Sequence, residues 1–201
     1  MSMATNNLTL DENHVYRLGG RVVPSVTQVI NAVIPGWQAN QYYLDRGSAL
    51  HLACRYHDEG RLDENSVDPA IAGRLEAWKK FRAEFKSDVL HCELSLAHPV
   101  YSFAGTLDRV FDSDQDGITI VDLKSSISPQ VRLQLAAYCA LFYESVNALP
   151  KKAAAVELRE DGTYRALWMT RAEIETARRQ FLAALTLFGF MSEHKLLKER
   201  T

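Results

Sequence analysis

Asp108, Asp122 and Lys124 are the residues whose types and spacing first suggest chemistry. They lie in GTLDRVFDSDQDGITIVDLK, residues 105–124. Two carboxylates and an ammonium gathered among apolar neighbours are costly to desolvate unless a cation or a charged substrate sits with them. The neighbours here are apolar: Leu107, Val110 and Phe111 precede a polar turn, and Ile118, Ile120 and Val121 follow it. Strand propensity is high on both sides, so the stretch predicts a hairpin. Residues two apart on a strand share a face, so Asp122 and Lys124 point the same way, with Leu123 behind them. The hairpin lays Asp108 across from that pair. An isolated D-x-K is more often a surface ion pair on a sheet edge, but apolar flanks on both strands place this one in a core. Something charged should bind there.

The turn itself, DSDQDG, has Asp112, Asp114, Asp116 and Gly117 at the offsets that open a calcium-binding EF-hand loop. The twelfth position of such a loop requires a bidentate Glu and here is Leu123, and the flanks are strands. It reads as turn chemistry.

The elements that must position these residues follow from periodicity and breakers. Met1 to Asn13 is polar and reads as loose, and His14 to Val23 reads as a small hairpin turning on Gly19-Gly20. After Pro24, Ser25 caps a helix on which Val26, Val29, Ile30 and Val33 recur at helical spacing, ending at Pro35-Gly36. The amides at its start, near Ser25 and Thr27, offer a phosphate-binding end, although an ordinary capped helix is the commoner outcome. A second helix follows Gly47 and ends at Gly60, with His51 near its start; a lone helical histidine is more often structural than a ligand. Asp68-Pro69 opens a long helix with the stripe Ile71, Leu75, Trp78, Phe81 and Phe85, which is core.

Residues 88–98 alternate as a strand in which Glu93 is the acidic interior position. Beyond Lys124, Ser128-Pro129 caps a helix to about Ser145, where Gln134 and Tyr138 share a face. That helix can fold back over the sheet so that both overlook the charged site, or both can simply pack. Strands at Ala153 to Leu158 and Tyr164 to Trp168, a capping box of Thr170 with Glu173, and a last amphipathic helix complete the chain. The order predicts an α/β fold with a mixed central β-sheet flanked by helices. It reads as one domain over 1–201: an N-terminal hairpin and helical part (1–87), the sheet core with the D-x-K (88–168) and a C-terminal helix (169–201).

Composition bounds the function. The 201 residues are 47% hydrophobic, enough for a sizeable core. The net charge of -2, from 23 basic and 25 acidic residues, excludes a uniformly basic binder, so any nucleic-acid contact must be a local patch. Cys54, Cys92 and Cys139 have no C-x-x-C spacing, which predicts free thiols in a reducing cytosol without disulfides or structural zinc. No apolar run approaches the roughly 20 residues of a membrane span and no signal peptide is evident, so a cytoplasmic protein without membrane contact is expected.

The combination of RGSALH, GTLDRVFD with IVDLKSS, and QLAAY resembles the PD-(D/E)XK nuclease superfamily, in particular its RecB-like branch with its bacteriophage exonucleases. The resemblance covers roughly residues 24–168, and four motifs in the family's order make it specific. It implies a restriction-endonuclease-like core. His51 matches the family's helical histidine, Asp108 the aspartate of its G-x-x-D strand, Asp122 and Lys124 its D-x-K, and Gln134 and Tyr138 its Q-x-x-x-Y helix; PSVTQVI is similar to the start of phage members.

The implied activity is phosphodiester hydrolysis with Mg2+ or Mn2+. The resemblance makes His51, Asp108, Asp122 and the backbone carbonyl of Leu123 the ligands, and the histidine tilts the preference toward manganese. Lys124 would orient or help deprotonate the attacking water, with Gln134 and Tyr138 holding that lysine or the substrate backbone. Glu93 would assist a second metal or pair with Arg109. Arg46 and Arg109 are the expected phosphate contacts, beside Ser25 and Thr27. The substrate would be DNA bound without sequence preference, in a bacterial cell or as a phage product. The resemblance also admits an oligomer and a partner of the single-strand annealing or recombination kind. Three scattered cysteines argue against the iron-sulfur cluster of some relatives, and without a Walker-type loop no ATP hydrolysis is expected. An exonuclease in recombination or repair, an endonuclease or flap-type enzyme on the same site, and a non-cleaving nucleic-acid-binding assembly protein all remain open.

Overall fold

Local capping sets several helix ends. Ser25 Oγ accepts the N–H of Gln28 while the Gln28 side chain takes the Ser25 N–H, and this box opens α1 (Val26–Val33). Asp68 accepts the N–H of Ala70 ahead of a first-turn proline to open α3 (Pro69–Glu84), and Thr170 with Glu173 closes a second box on α5 (Arg171–Glu193). Each such cap contributes about 1 kcal/mol. The computed structural model describes residues 7–34, 41–114 and 116–197, and for 41–45 the backbone alone. The Pro35-Gly36 helix stop lies outside the described residues.

The remaining elements are β1 (Leu8–Leu10), β2 (Tyr16–Leu18), β3 (Arg21–Val23), α2 (Gln41–Asp58), β4 (Asp88–Ala97), β5 (Ala104–Asp112), β6 (Thr119–Lys124), α4 (Val131–Val146), β7 (Lys152–Leu158) and β8 (Tyr164–Thr170). Strands β4 to β8 form a five-stranded sheet in sequence order. Only β6 and β7 run parallel, joined by the crossover through α4, so the sheet is mixed. Helices cover both faces. α1, α4 and α5 pack Val29, Leu135, Phe142 and Phe181 on one side, and α2 and α3 pack Cys54, Leu75, Trp78 and Phe81 against Phe111, Val121 and Val156 on the other. No helix among the described residues is long and apolar enough to cross a membrane.

Three local expectations are corrected. Residues 8–10, read as loose, pair in register with β2, because Leu8 packs onto the small cluster of Tyr16, Val23, Ala97 and Ala104. The second helix starts at Gln41 and runs through Gly47; an internal glycine costs only about 1 kcal/mol, which a helix of 18 residues tolerates. The fourth helix starts at Val131, since Ser128 and Pro129 form a turn closed by Val131 N–H on Ser128 O, and its cap is Gln130.

Gly105 has a packing reason. A Cβ there would meet Cε1 of Tyr138 at 2.8 Å, so the bare backbone lets α4 lie directly on β5. This close approach seats α4 beside the carboxylates three and seventeen residues further on.

Candidate active site

Antiparallel pairing of β5 with β6 matches Arg109 with Val121, which leaves Asp108 and Asp122 adjacent at the end of that ladder. Asp108 Oδ2 accepts the backbone N–H of Leu123 at 2.7 Å, and Asp122 Oδ2 lies 2.6 Å from Lys124 Nζ as an ion pair. α2 crosses from the other side of the sheet and brings His51 Nδ1 to 3.4 Å from Asp108 Oδ1. The same nitrogen is 3.6 Å from Glu93 Oε1. One ligand atom from each of His51, Glu93 and Asp108 lies within 4.8 Å of the others.

Glu93 is therefore part of the cluster. It sits in β4 between the pairs Cys92 with Arg109 and Leu94 with Leu107, with a left-handed backbone, φ 52°. Such a conformation costs a non-glycine residue about 1–3 kcal/mol and is retained where the surroundings over-determine it. Nothing in the alternating pattern of β4 signals that backbone in advance.

Charge balance within the cluster is tight. The Asp108 carboxylate pushes His51 up to about 10, against the opposing effect of burial. Burial opposes ionisation of Asp108, but His51, Lys124 and the Leu123 N–H together hold it below the usual carboxylate range. For Asp122, burial wins: its carboxyl is pushed up, although Lys124 pulls it down. Burial works against the Lys124 ammonium, yet the two aspartates raise it, so it carries its proton at neutral pH. The imidazolium and the ammonium thus face the carboxyl groups of Glu93, Asp108 and Asp122, and Arg109 also pairs with Glu93.

Gln134 and Tyr138 meet each other: Gln134 Nε2 donates to Tyr138 Oη at 2.8 Å. Burial, with Asp122 and Asp108 nearby, raises the phenol well above its ordinary range, so it is neutral. A groove of about 730 Å³ runs past His51, Glu93 and Lys124, and Arg46, Arg74 and His14 also line it. Arg46 donates to the carbonyl of Ala70 and to Glu160, and Arg74 reaches the same carboxylate oxygen. Arg109, expected at a phosphate, instead has no exposed side-chain surface and is taken up by Asp58 and Glu93. Ser25 is engaged in its own capping box, and Thr27 is exposed on the first turn of α1. Sequence reasoning missed Asp58 and Arg74. Asp58 had one signal, its place seven residues after His51 on the same helical face.

The family model of the PD-(D/E)XK nuclease superfamily matches residues 51–188, more than half of the chain. The chain belongs to the PD-(D/E)XK nuclease superfamily. The match begins at His51 and spans the hairpin, the D-x-K and α4. The mixed sheet flanked by helices is the core of that superfamily, and its members are hydrolytic nucleases. No curated protein matches the chain. Solved structures similar to this superfamily member include an alkaline exonuclease, LHK-Exo, from Laribacter hongkongensis, at 15% identity and TM-score 0.40 over 86% of this chain and 92% of that one. Another is an exonuclease candidate from Eubacterium rectale, at 12% identity and TM-score 0.41 over 81% of this chain and 75% of that one.

Proposed function

We propose that the chain is a divalent-metal-dependent deoxyribonuclease of the RecB-like branch, an exonuclease acting in phage or bacterial DNA recombination or repair. The convergence of His51, Asp108 and Glu93 beside the Asp122–Lys124 pair carries this reading. One imidazole and clustered carboxylates suit Mn2+ or Mg2+, with nitrogen favouring manganese. Repulsion among the acids, now offset by protons on His51 and Lys124, would be relieved by such an ion. His51, Asp108 and Glu93 would hold it, with Asp122 and the Leu123 carbonyl completing the set.

A bound divalent ion supplies an acidified water and positive charge at the scissile phosphate. The chain's own residues do the rest. Lys124, protonated and steadied by Asp122, donates a hydrogen bond to the attacking water or a phosphate oxygen and neutralises charge developing there. Its proton makes it an orienting donor rather than a base. The neutral Tyr138, fixed by Gln134 and pressed on Gly105, supports the strand that carries Asp108. Arg46, on the groove wall, meets the DNA backbone, a contact that carries no base information. The whole of 1–201 works as one nuclease domain, in the cytoplasm, without ATP or an iron-sulfur cluster, and the recombination role fits a strand-annealing partner.

The experiment is incubation of end-labelled linear and covalently closed circular DNA with Mn2+ or Mg2+, comparing the parent chain with Lys124→Ala. Metal-dependent loss of linear DNA, with circles intact and the variant inactive, is the expected result. Cleaved circles would make it an endonuclease on the same site. No metal-dependent cleavage of either form would overturn the proposal.

A further inference from the structure

Behind the acidic cluster lies a buried ion network, centred on Arg109 and Asp58, that reaches the cluster through Glu93 and the Asp108 backbone. Arg109 Nε donates to Asp58 Oδ2 at 2.6 Å, and its Nη1 donates both to Glu93 Oε1 at 3.2 Å and to the Asp108 carbonyl at 2.6 Å. Neither Arg109 nor the Asp58 side chain has exposed surface. Asp58 Oδ1 accepts two further donors, Arg82 Nε at 3.0 Å and Trp78 Nε1 at 3.2 Å. We propose that Arg109, clamped by Asp58, is a positioning residue that sets the spacing of His51, Glu93 and Asp108 for the divalent cation. This rests on the metal-dependent reading above.

Two physical routes run through the one guanidinium. The first goes along α2. Asp58 is two turns beyond His51 on the same helical face, so pinning Asp58 to β5 fixes both the axial position and the rotation of the helix that carries the imidazole. The second goes across the strands. Nη1 draws the Glu93 carboxylate toward β5 while gripping the carbonyl of Asp108 itself, which keeps the two acidic side chains together despite their repulsion.

Stability alone does not account for this construction. A buried ion pair recovers in attraction about what it loses in hydration, and apolar groups of the same volume are often as stable or more so. What a planar, forked guanidinium adds is fixed geometry between two carboxylates at once, which a lysine cannot reproduce. The left-handed backbone of Glu93 fits the same account: with φ held at 52°, its carboxylate is aimed where Arg109 and His51 both reach it.

The test uses the full chain without DNA, titrated with Mn2+ by calorimetry, for the parent, Arg109→Lys and Asp58→Asn. Arg109→Lys keeps the buried positive charge, so the core remains neutral overall; should it fail to fold, the isosteric Asp58→Asn carries the test. Each variant is expected to bind manganese about 10- to 100-fold more weakly with an unchanged circular dichroism spectrum. The double variant should be no worse than the weaker single one, and raised manganese should restore its rate on linear DNA. A lowered melting temperature with unchanged manganese affinity would reduce the clamp to core packing and overturn the inference. So would a rate loss that saturating manganese leaves in place. A parent that binds and cleaves while both variants titrate like it would overturn this inference alone; a parent that binds no manganese would overturn the proposed function with it.

Discussion

Asp108 Oδ2 receives the backbone N–H of Leu123 at 2.7 Å, so the carboxylate that leads the acidic cluster is also a rung between β5 and β6. Its other oxygen faces His51. One side chain thus couples the sheet to the site, and losing it should be felt in both.

Asp108→Ala is expected to abolish metal-dependent cleavage and to destabilise the fold by about 1–3 kcal/mol, because the buried Leu123 N–H loses its acceptor. Asp108→Asn keeps an acceptor oxygen and should be equally inactive but markedly more stable. Gel assays and thermal melts on the two variants separate the roles. Equal melting temperatures would show that the hydrogen bond contributes nothing.

Metal affinity should rise with pH. A metal ligand must be a neutral imidazole, whereas Asp108 holds the His51 proton to about 10, so binding displaces that proton and grows easier as pH climbs from 6.5 to 9. In the metal-free protein the sign is opposite. The raised pKa adds stability that is complete below 6.5 and is lost as pH rises through about 10. Thermal melts with and without Mg2+ across this range should therefore diverge, and His51→Gln should remove the divergence. Parallel curves for the parent would take His51 out of the ligand set.

Lys124→Gln is expected to separate binding from rate. Removing the ammonium relieves competition for Asp122 and Asp108, so Mn2+ should bind at least as tightly, while cleavage falls by about 100-fold or more with the loss of a charged donor at the phosphate. Weaker manganese binding in this variant would mean that Lys124 organises the ligands instead.

Gly105→Ala places a methyl 2.8 Å from Tyr138 Cε1. Overpacking of this kind costs about 1–3 kcal/mol. Because α4 must move to relieve it, the rate should drop as well, and Tyr138→Leu in the same chain should recover part of the stability. A neutral Gly105→Ala would show that α4 has slack over β5.

What the amino-acid order alone determined was whatever depends on near neighbours. Period-two alternation placed Asp122 and Lys124 on one face, and the structure finds their charged atoms 2.6 Å apart. Capping chemistry spans three residues, so Ser25, and Thr170 with Glu173, mark the starts of α1 and α5 in advance. The β–β–α–β run around the D-x-K was equally local.

Tertiary structure decided the rest, because those outcomes depend on energies paid across long separations. Gly47 reads as a helix boundary, yet α2 runs through it, and a short polar N-terminus becomes β1 only when β2 is there to pair with. Arg109 reads as a phosphate contact or a partner of Glu93, and only the fold shows that Asp58, 51 residues away, makes its burial tolerable. Glu93 enters the acidic cluster through a left-handed backbone that no strand pattern announces, held there by contacts from β5 and α2. Local periodicity says which way a side chain points; only the closed fold says what it meets.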